Sequence, residues 1–194
     1  MLKTTHYSLL TTHSTGFTLI ETLAAVSILM IAVAGPLTLA NRSLSSSIFA
    51  KQQLTASLLA QDLAEYVVAG RGANAGKSDT AWLGNLSQCT EADPCGLDTL
   101  KGFDVSGNSQ GMVQCSAPDF ESCRLTFSST SGTYGHDLSM PGNGINKSSF
   151  VRTFALSSIN DREAQILVKV LWDQGITRRS IILRTSLFNL FKEI

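Results

Sequence analysis

The chain has 194 residues, 43% of them hydrophobic and 15% charged, and its 15 basic and 15 acidic side chains leave no formal net charge. That length allows one domain, with an appendage, and a modest core. Neutrality removes the basic stripe of a nucleic-acid binder, and a charged fraction well below the usual quarter argues against a uniformly soluble enzyme and for a membrane or exported protein.

Residues 1–16 are polar, with Lys3 their only charged side chain, and end at Gly16. The chain then turns apolar from Phe17 to Ala40, with no charge at all from Thr22 onward. At 1.5 Å per helical residue this stretch is about 36 Å long, enough to cross a bilayer core of about 30 Å. Glu21 interrupts it. A carboxylate at hydrocarbon depth costs about 2.5–3.5 kcal/mol even on the lenient insertion scale. Two readings follow from the physics alone. Either Glu21 lies at the interface and the span begins at Thr22, or it has a partner and a task. An ordinary secretory signal is a rival, with Ala32-Val33-Ala34 imitating a small-x-small cleavage site.

Gly16-Phe17-Thr18-Leu19-Ile20-Glu21-Thr22-Leu23 resembles the processing and methylation signal of type IV pilins and the related pseudopilins, with Ser14-Thr15 where that family usually has a basic residue. The resemblance implies a leader of residues 1–16, cleavage after Gly16 by a prepilin peptidase that also methylates the new amine of Phe17, and a membrane and assembly helix over 17–40. It implies that Glu21 is the assembly residue, meeting the terminal ammonium of a neighbouring subunit. Such a pair is tolerated in apolar surroundings only when both charges are satisfied together.

Gly35-Pro36 predicts a kink or an unwound turn, because proline removes a donor and clashes with the carbonyl four residues earlier. Beyond it Leu44, Ile48, Leu59, Leu63 and Val67 recur at helical spacing, with Leu54 and Leu58 alongside, and Arg42, Lys51, Gln61, Asp62 and Glu65 supply a polar face. The pattern predicts an amphipathic continuation over 41–70, ended by Gly70, Gly72 and Gly76. Residues 60–67 also resemble the same stretch of PilV-type minor pilins, as does the Val170–Gly175 segment.

Residues 71–194 are expected to form a globular part outside the membrane. Its first portion, to about 149, is rich in Gly, Ser, Asn and Asp and reads as loops. Cys89, Cys95, Cys115 and Cys123 lie there. Export implies an oxidising compartment and disulfides. Four cysteines allow three pairings; Cys89–Cys95 with Cys115–Cys123 closes the two shortest loops. A four-thiolate zinc site is the rival, against which the gaps of five and seven residues stand, since structural sites space ligands more tightly. Strands are predicted at Leu125–Phe127 and Phe150–Leu156. A hairpin follows in which Ile166, Val168, Val170 and Trp172, then Ile181, Leu183 and Leu187, form one apolar face on either side of a turn at Asp173-Gln174-Gly175. A long helix packed on a C-terminal antiparallel sheet is an α+β arrangement.

Candidates for chemistry are weak. Gly107-Asn108-Ser109-Gln110-Gly111 fits a nucleophile elbow in letters, but no helix follows and His136, the only histidine beyond the leader, stands in a polar loop. Gly70-Arg71-Gly72 and Gly76 miss the dinucleotide spacing. Asp93, Asp98 and Asp104 lack the alternation of a calcium loop and read as solvated carboxylates, and Arg178, Arg179 and Arg184 as a solvated strand face. The sequence therefore points to no enzyme, no cofactor, no metal and no nucleic-acid partner. Its expected partners are the peptidase, other pilin subunits and, before assembly, the membrane. The expected path runs from a single-pass inner-membrane form to a surface or periplasmic filament. A minor pilin is the reading favoured, with a pseudopilin of a type II secretion system, a DNA-uptake pilin and an exported enzyme or binding protein as alternatives.

Overall fold

A computed structural model describes residues 16–74, 79–136, 145–157, 160 and 162–189. The chain divides into two units, residues 1–47 and 48–194. One helix, α1 (Leu19–Ala73, 55 residues), belongs to both. Its length is about 82 Å at 1.5 Å per residue. Within residues 16–47 every side chain is exposed in the isolated chain, including Leu23, Ile28, Leu29 and Met30. That segment is long and apolar enough to cross a membrane.

Two expectations about the helix meet the structure differently. Of the kink or unwound turn expected at Gly35-Pro36, the unwound turn is absent, since the backbone stays helical there. Pro36 cannot donate to a preceding carbonyl, and Thr38 Oγ1 donates to Gly35 O at 2.7 Å, engaging an oxygen within the disturbed turn. Gly70 and Gly72 do not end the helix, which runs to Ala73. Gly70 instead lets the ring of Phe103 lie against it: a Cβ there would come within 2.4 Å of that ring. Gly76 and the leader residues 1–15 lie outside the described residues.

In the second unit α1 buries Ala56, Leu59, Ala60, Leu63, Ala64, Val67 and Gly70. The spacing of three and four places them on one stripe, and the small alanines let the helix approach the sheet closely. Opposite lies an antiparallel sheet of seven strands: β1 (Cys95–Leu97), β2 (Met112–Gln114), β3 (Arg124–Ser128), β4 (Thr133–Gly135), β5 (Ile145–Ser157), β6 (Glu163–Gln174) and β7 (Thr177–Phe188). The predicted hairpin is β6–β7, in register from Glu163↔Phe188 to Gln174↔Thr177. Its turn is the two residues Gly175-Ile176, one position beyond the predicted one, with Gly175 at φ +60°, a conformation glycine adopts without steric cost. On β6, Ala164, Ile166, Val168, Val170 and Trp172 are buried and alternate with part-exposed residues. β7, which among the described strands pairs with β6 alone, is mostly exposed.

β5 is the hub. One edge pairs with β6, and the other is shared by β3 near its start and by β1 at Phe154↔Cys95. From Phe150 to Leu156 it is buried on both faces. Phe150, Phe154 and Leu156 enter the core under the helix, while Val151 packs with Cys115, Cys123, Phe120 and Leu171 on the outer face. Besides the expected β3, the stretch read as loop-rich thus supplies the strands β1, β2 and β4, the start of β5, and 3-10 segments at Asp79–Gln88 and Glu121–Cys123.

Gly96 in β1 sits where another residue would not fit without a shift. A Cβ there would lie 2.7 Å from His136 Cε1 and 2.9 Å from Cys123 Sγ, the latter held in a disulfide. Gly96→Ala is therefore expected to destabilise the second unit by about 1–3 kcal/mol, the usual cost of overpacking, read as a lower melting temperature. An unchanged melt would contradict this packing.

Candidate functional site

Three arrangements carry the chemistry of this chain. The first is the start of α1. Gly16 and Phe17 precede the helix, and Phe17, Leu19 and Ile20 are exposed. Thr18 caps it: its carbonyl accepts the N–H groups of Glu21 and Thr22 at 3.1 and 3.2 Å, and its Oγ1 accepts Glu21 N–H at 3.3 Å. Glu21 falls in the first turn, where the helix dipole favours a negative charge. Among the described residues no cation pairs with it.

The second arrangement was not legible as a site. Arg152 points from β5 into the core and is completely buried. Its Nη1 donates to Leu59 O at 3.1 Å and to Asp62 Oδ2 at 2.7 Å, both on α1; its Nη2 donates to Leu97 O at 2.9 Å on β1 and to Thr99 Oγ1 at 3.5 Å. Thr99 in turn donates to Asp62 Oδ2 at 2.8 Å. Burial disfavours the charge on Arg152 and lowers its pKa, and the hydrogen bond and charge of Asp62 oppose that. One guanidinium thus fastens helix, hub strand and the β1 turn together. A sequence signal existed: the alternation Phe150, Arg152, Phe154, Leu156 places an arginine on an otherwise apolar strand face, and Asp62 stands on the helix flank opposite.

A polar network extends the clamp along α1. Tyr66 stacks on Phe103 with centroids 4.6 Å apart and shares a 2.9 Å hydrogen bond with Ser109 Oγ. Asn74 Nδ2 donates to Gly107 O at 2.8 Å. Asn85 and Ser109 exchange bonds, Ser109 N–H to Asn85 Oδ1 at 2.8 Å and Asn85 Nδ2 to Ser109 O at 2.9 Å. The serine of the elbow-like pentapeptide is therefore buried and spent on Tyr66 and Asn85, and its backbone forms an isolated bridge with Phe103 ahead of β2. Asp98, expected to be solvated, is buried, its Oδ1 accepting Leu100 N–H at 3.2 Å. Asp104 closes its own loop through Asn108 N–H at 2.8 Å, and Asp93 is exposed. Among the described residues no three His, Cys, Asp or Glu side chains gather as metal ligands.

His136, expected in a polar loop, is also partly interior. Among the described residues neither of its enclosed ring nitrogens has a hydrogen-bond partner. Burial, aided by the charge of Arg152 and of Lys101 and opposed by Asp98, lowers its pKa to about 4.

The third arrangement is the pair of disulfides. Cys89 joins Cys95, and Cys115 joins Cys123, each with Cα atoms 5.3 Å apart. The first bond ties β1 to a segment whose Cys89 O accepts Leu156 N–H at 2.7 Å. The second closes the loop that roofs Val151. Of the basic strand residues, Arg178 meets Asp173 at 3.2 Å and Arg179 lies over the Phe49 ring at 5.6 Å.

Against known proteins, a family model described as the prokaryotic N-terminal methylation motif matches residues 12–35. That span covers Gly16, Phe17, Glu21 and Gly35. No curated protein and no solved structure matches the chain.

Removing Asp62 while Arg152 stays buried leaves a guanidinium short of its counter-charge. Breaking a fully buried pair costs about 3–5 kcal/mol, and the half-exposed carboxylate lowers this to about 1–3 kcal/mol for Asp62→Ala, measured by denaturant unfolding. Because His136 has a folded pKa of about 4 against an ordinary 6.5, the unfolded chain binds the proton first as pH falls. Stability is complete above about pH 6.5 and is lost toward pH 4, with a slope approaching 1.4 kcal/mol per pH unit. His136→Phe is expected to flatten that part of the profile; an equally steep profile would contradict the assignment.

Proposed function

We propose that this chain is a structural subunit, a minor pilin of a type IV pilus, and not an enzyme. The methylation motif over residues 12–35 carries the reading. It is supported by the apolar start of α1 and by the amphipathic remainder packed on an antiparallel sheet. The leader, residues 1–16, is removed after Gly16 by a prepilin peptidase that methylates the amine of Phe17. Residues 17–40 hold the precursor in the inner membrane. Residues 41–70 continue the helix into the globular part, 71–194, which faces the periplasm or the cell surface.

Assembly transfers the apolar segment from lipid to a sheath of like helices. Glu21 supplies the electrostatic term of that transfer: its carboxylate meets the methylated ammonium of a neighbouring Phe17, and each charge makes the other's burial tolerable. Gly35-Pro36 marks the place where the helix lacks one backbone hydrogen bond and can lengthen during packing. The disulfides hold the outer loops once the chain is exported. The stretches 60–67 and 170–175, which resemble PilV-type minor pilins, favour a pilus over the short filament of a secretion system, and deleting the gene is expected to abolish piliation and leave secretion intact.

Glu21→Ala tests the assembly role. The variant is expected to insert in the membrane and to be processed, yet to enter filaments at least about a hundredfold less, because the stranded ammonium costs about 3–5 kcal/mol. Wild-type incorporation in sheared filaments would overturn the role.

A further inference from the structure

β7 runs beside α1 in the same direction. Near its start Arg179 lies over the Phe49 ring at 5.6 Å, and at its end Phe188 O accepts Arg71 Nη1 at 3.3 Å. The helix rises about 33 Å from Phe49 to Arg71, and the strand covers about 30 Å from Arg179 to Phe188. The two elements therefore keep level. The β6–β7 turn, Gly175-Ile176, projects about 10 Å ahead of Arg179, at the end of the second unit where α1 enters it. The register brings other segments there. Phe150 pairs with Trp172, so Lys147 stands as far ahead of Phe150 as Gly175 beyond Trp172, and Ser128 of β3 pairs with Ile145.

This end is basic. Residues 48–52, 126–133, 145–149 and 173–179, described segments that meet there, hold Lys51, Lys147, Arg178 and Arg179 and the one acid Asp173. All four cations are exposed. Arg178 Nε donates to Asp173 Oδ1 at 3.2 Å, but both partners face solvent and such pairs are weak. Glu121, on which Lys147 and Arg178 also act, is itself bound by Arg124, and the ring contact of Arg179 leaves its charge in place. At the tip Ile176 is completely exposed. An aliphatic knob among cations is the combination that binds an anionic bilayer surface, the knob among the headgroups and the cations on the phosphates. The chain itself supplies that surface. Its apolar run closes at Ala40, nine residues before Phe49, about 14 Å of helix. Headgroups extend about 5–8 Å beyond the hydrocarbon, and their potential decays over about a further 8 Å.

We propose that the β6–β7 turn and its basic surround form a membrane-contact site: while the chain is held in the bilayer, Ile176 enters the headgroup layer and Lys51, Lys147, Arg178 and Arg179 meet the phosphates of anionic phospholipids. The contact steadies the globular part before assembly and is given up when the subunit leaves the lipid. It rests on the reading that residues 17–40 span the membrane, and it can fail while that reading stands.

The test places the full chain in vesicles of phosphatidylcholine, with or without phosphatidylglycerol, that carry a nitroxide quencher on their headgroups. The native cysteines are paired, so Thr177→Cys takes a bimane label beside an intact Ile176. Strong quenching is expected there in the vesicles with phosphatidylglycerol and weak quenching in those without it. A label at Val105→Cys, an exposed site in the loop that Asn74 binds at the other end of the second unit, is expected to be weakly quenched in both. Lys51→Gln and Lys147→Gln, with melting measured alongside, are each expected to lower the contact equilibrium about fivefold, and Ile176→Ser to lower it as well. Quenching at Thr177→Cys no stronger than at Val105→Cys, equal in both lipids, or unchanged in the folded lysine variants overturns the proposal. A label at Ser27→Cys, read with a quencher in the acyl chains, reports separately on the span. If it is quenched and the turn is not, the contact alone fails; if it is unquenched, the spanning reading and the contact fall together.

Discussion

A completely buried arginine holds the second unit together. Arg152 spends two of its nitrogens on the helix, through Leu59 O and Asp62, and on the β1 turn, through Leu97 O and Thr99. Apolar packing between α1 and β6 would leave the helix free to slide or rotate by a turn at small cost. A guanidinium with fixed fork geometry does not, because its acceptors are placed at one register only. Buried polar contacts of this kind add little net stability compared with an apolar alternative; their effect is to make one arrangement much better than its neighbours. The half-exposed Asp62 and the threonine between it and Arg152 complete the set.

From that register the remaining features follow. Fixing α1 against β5 brings Tyr66 onto Phe103 and Ser109, and so orders a loop that has little regular structure of its own. Fixing β5 leaves its outer face to be covered, and the two disulfide loops cover it. The same helix that carries the clamp in its second half begins with Thr18 and Glu21 at the membrane end. The N-terminal half is selected for apolar surroundings and the C-terminal half for one strict packing partner. This division explains why 55 residues of continuous helix show so uneven a distribution of charge.

The elements with long, regular periodicity were readable in the sequence. The apolar span, the part of the amphipathic stripe at Leu59, Leu63 and Val67 and the β6–β7 hairpin have a pattern that burial on one face encodes, whereas Leu44, Ile48, Leu54 and Leu58, read into the same stripe, are exposed. Short strands were not readable. β1, β2 and β4 have three residues each, too few for a period, and they form because β5 and β3 offer them edges. The boundaries at glycine misled for a related reason. Gly70 is needed for the approach of Phe103, a contact made 33 residues away in the chain, and not as a helix stop. Asp98 and His136 were read as solvated because nothing local marks a polar residue for burial. Arg152 alone left a trace, as the one charge on an apolar alternation.

The claim on which the functional account stands is that this chain is processed as a prepilin. The most direct measurement is N-terminal mass spectrometry of the mature protein from cells with and without the prepilin peptidase. The account predicts a terminal peptide beginning at N-methylated Phe17, present only when the peptidase is present. A terminus at Met1 or Gly35 in both strains would contradict it, and would return Glu21 to an interfacial charge with no subunit to meet.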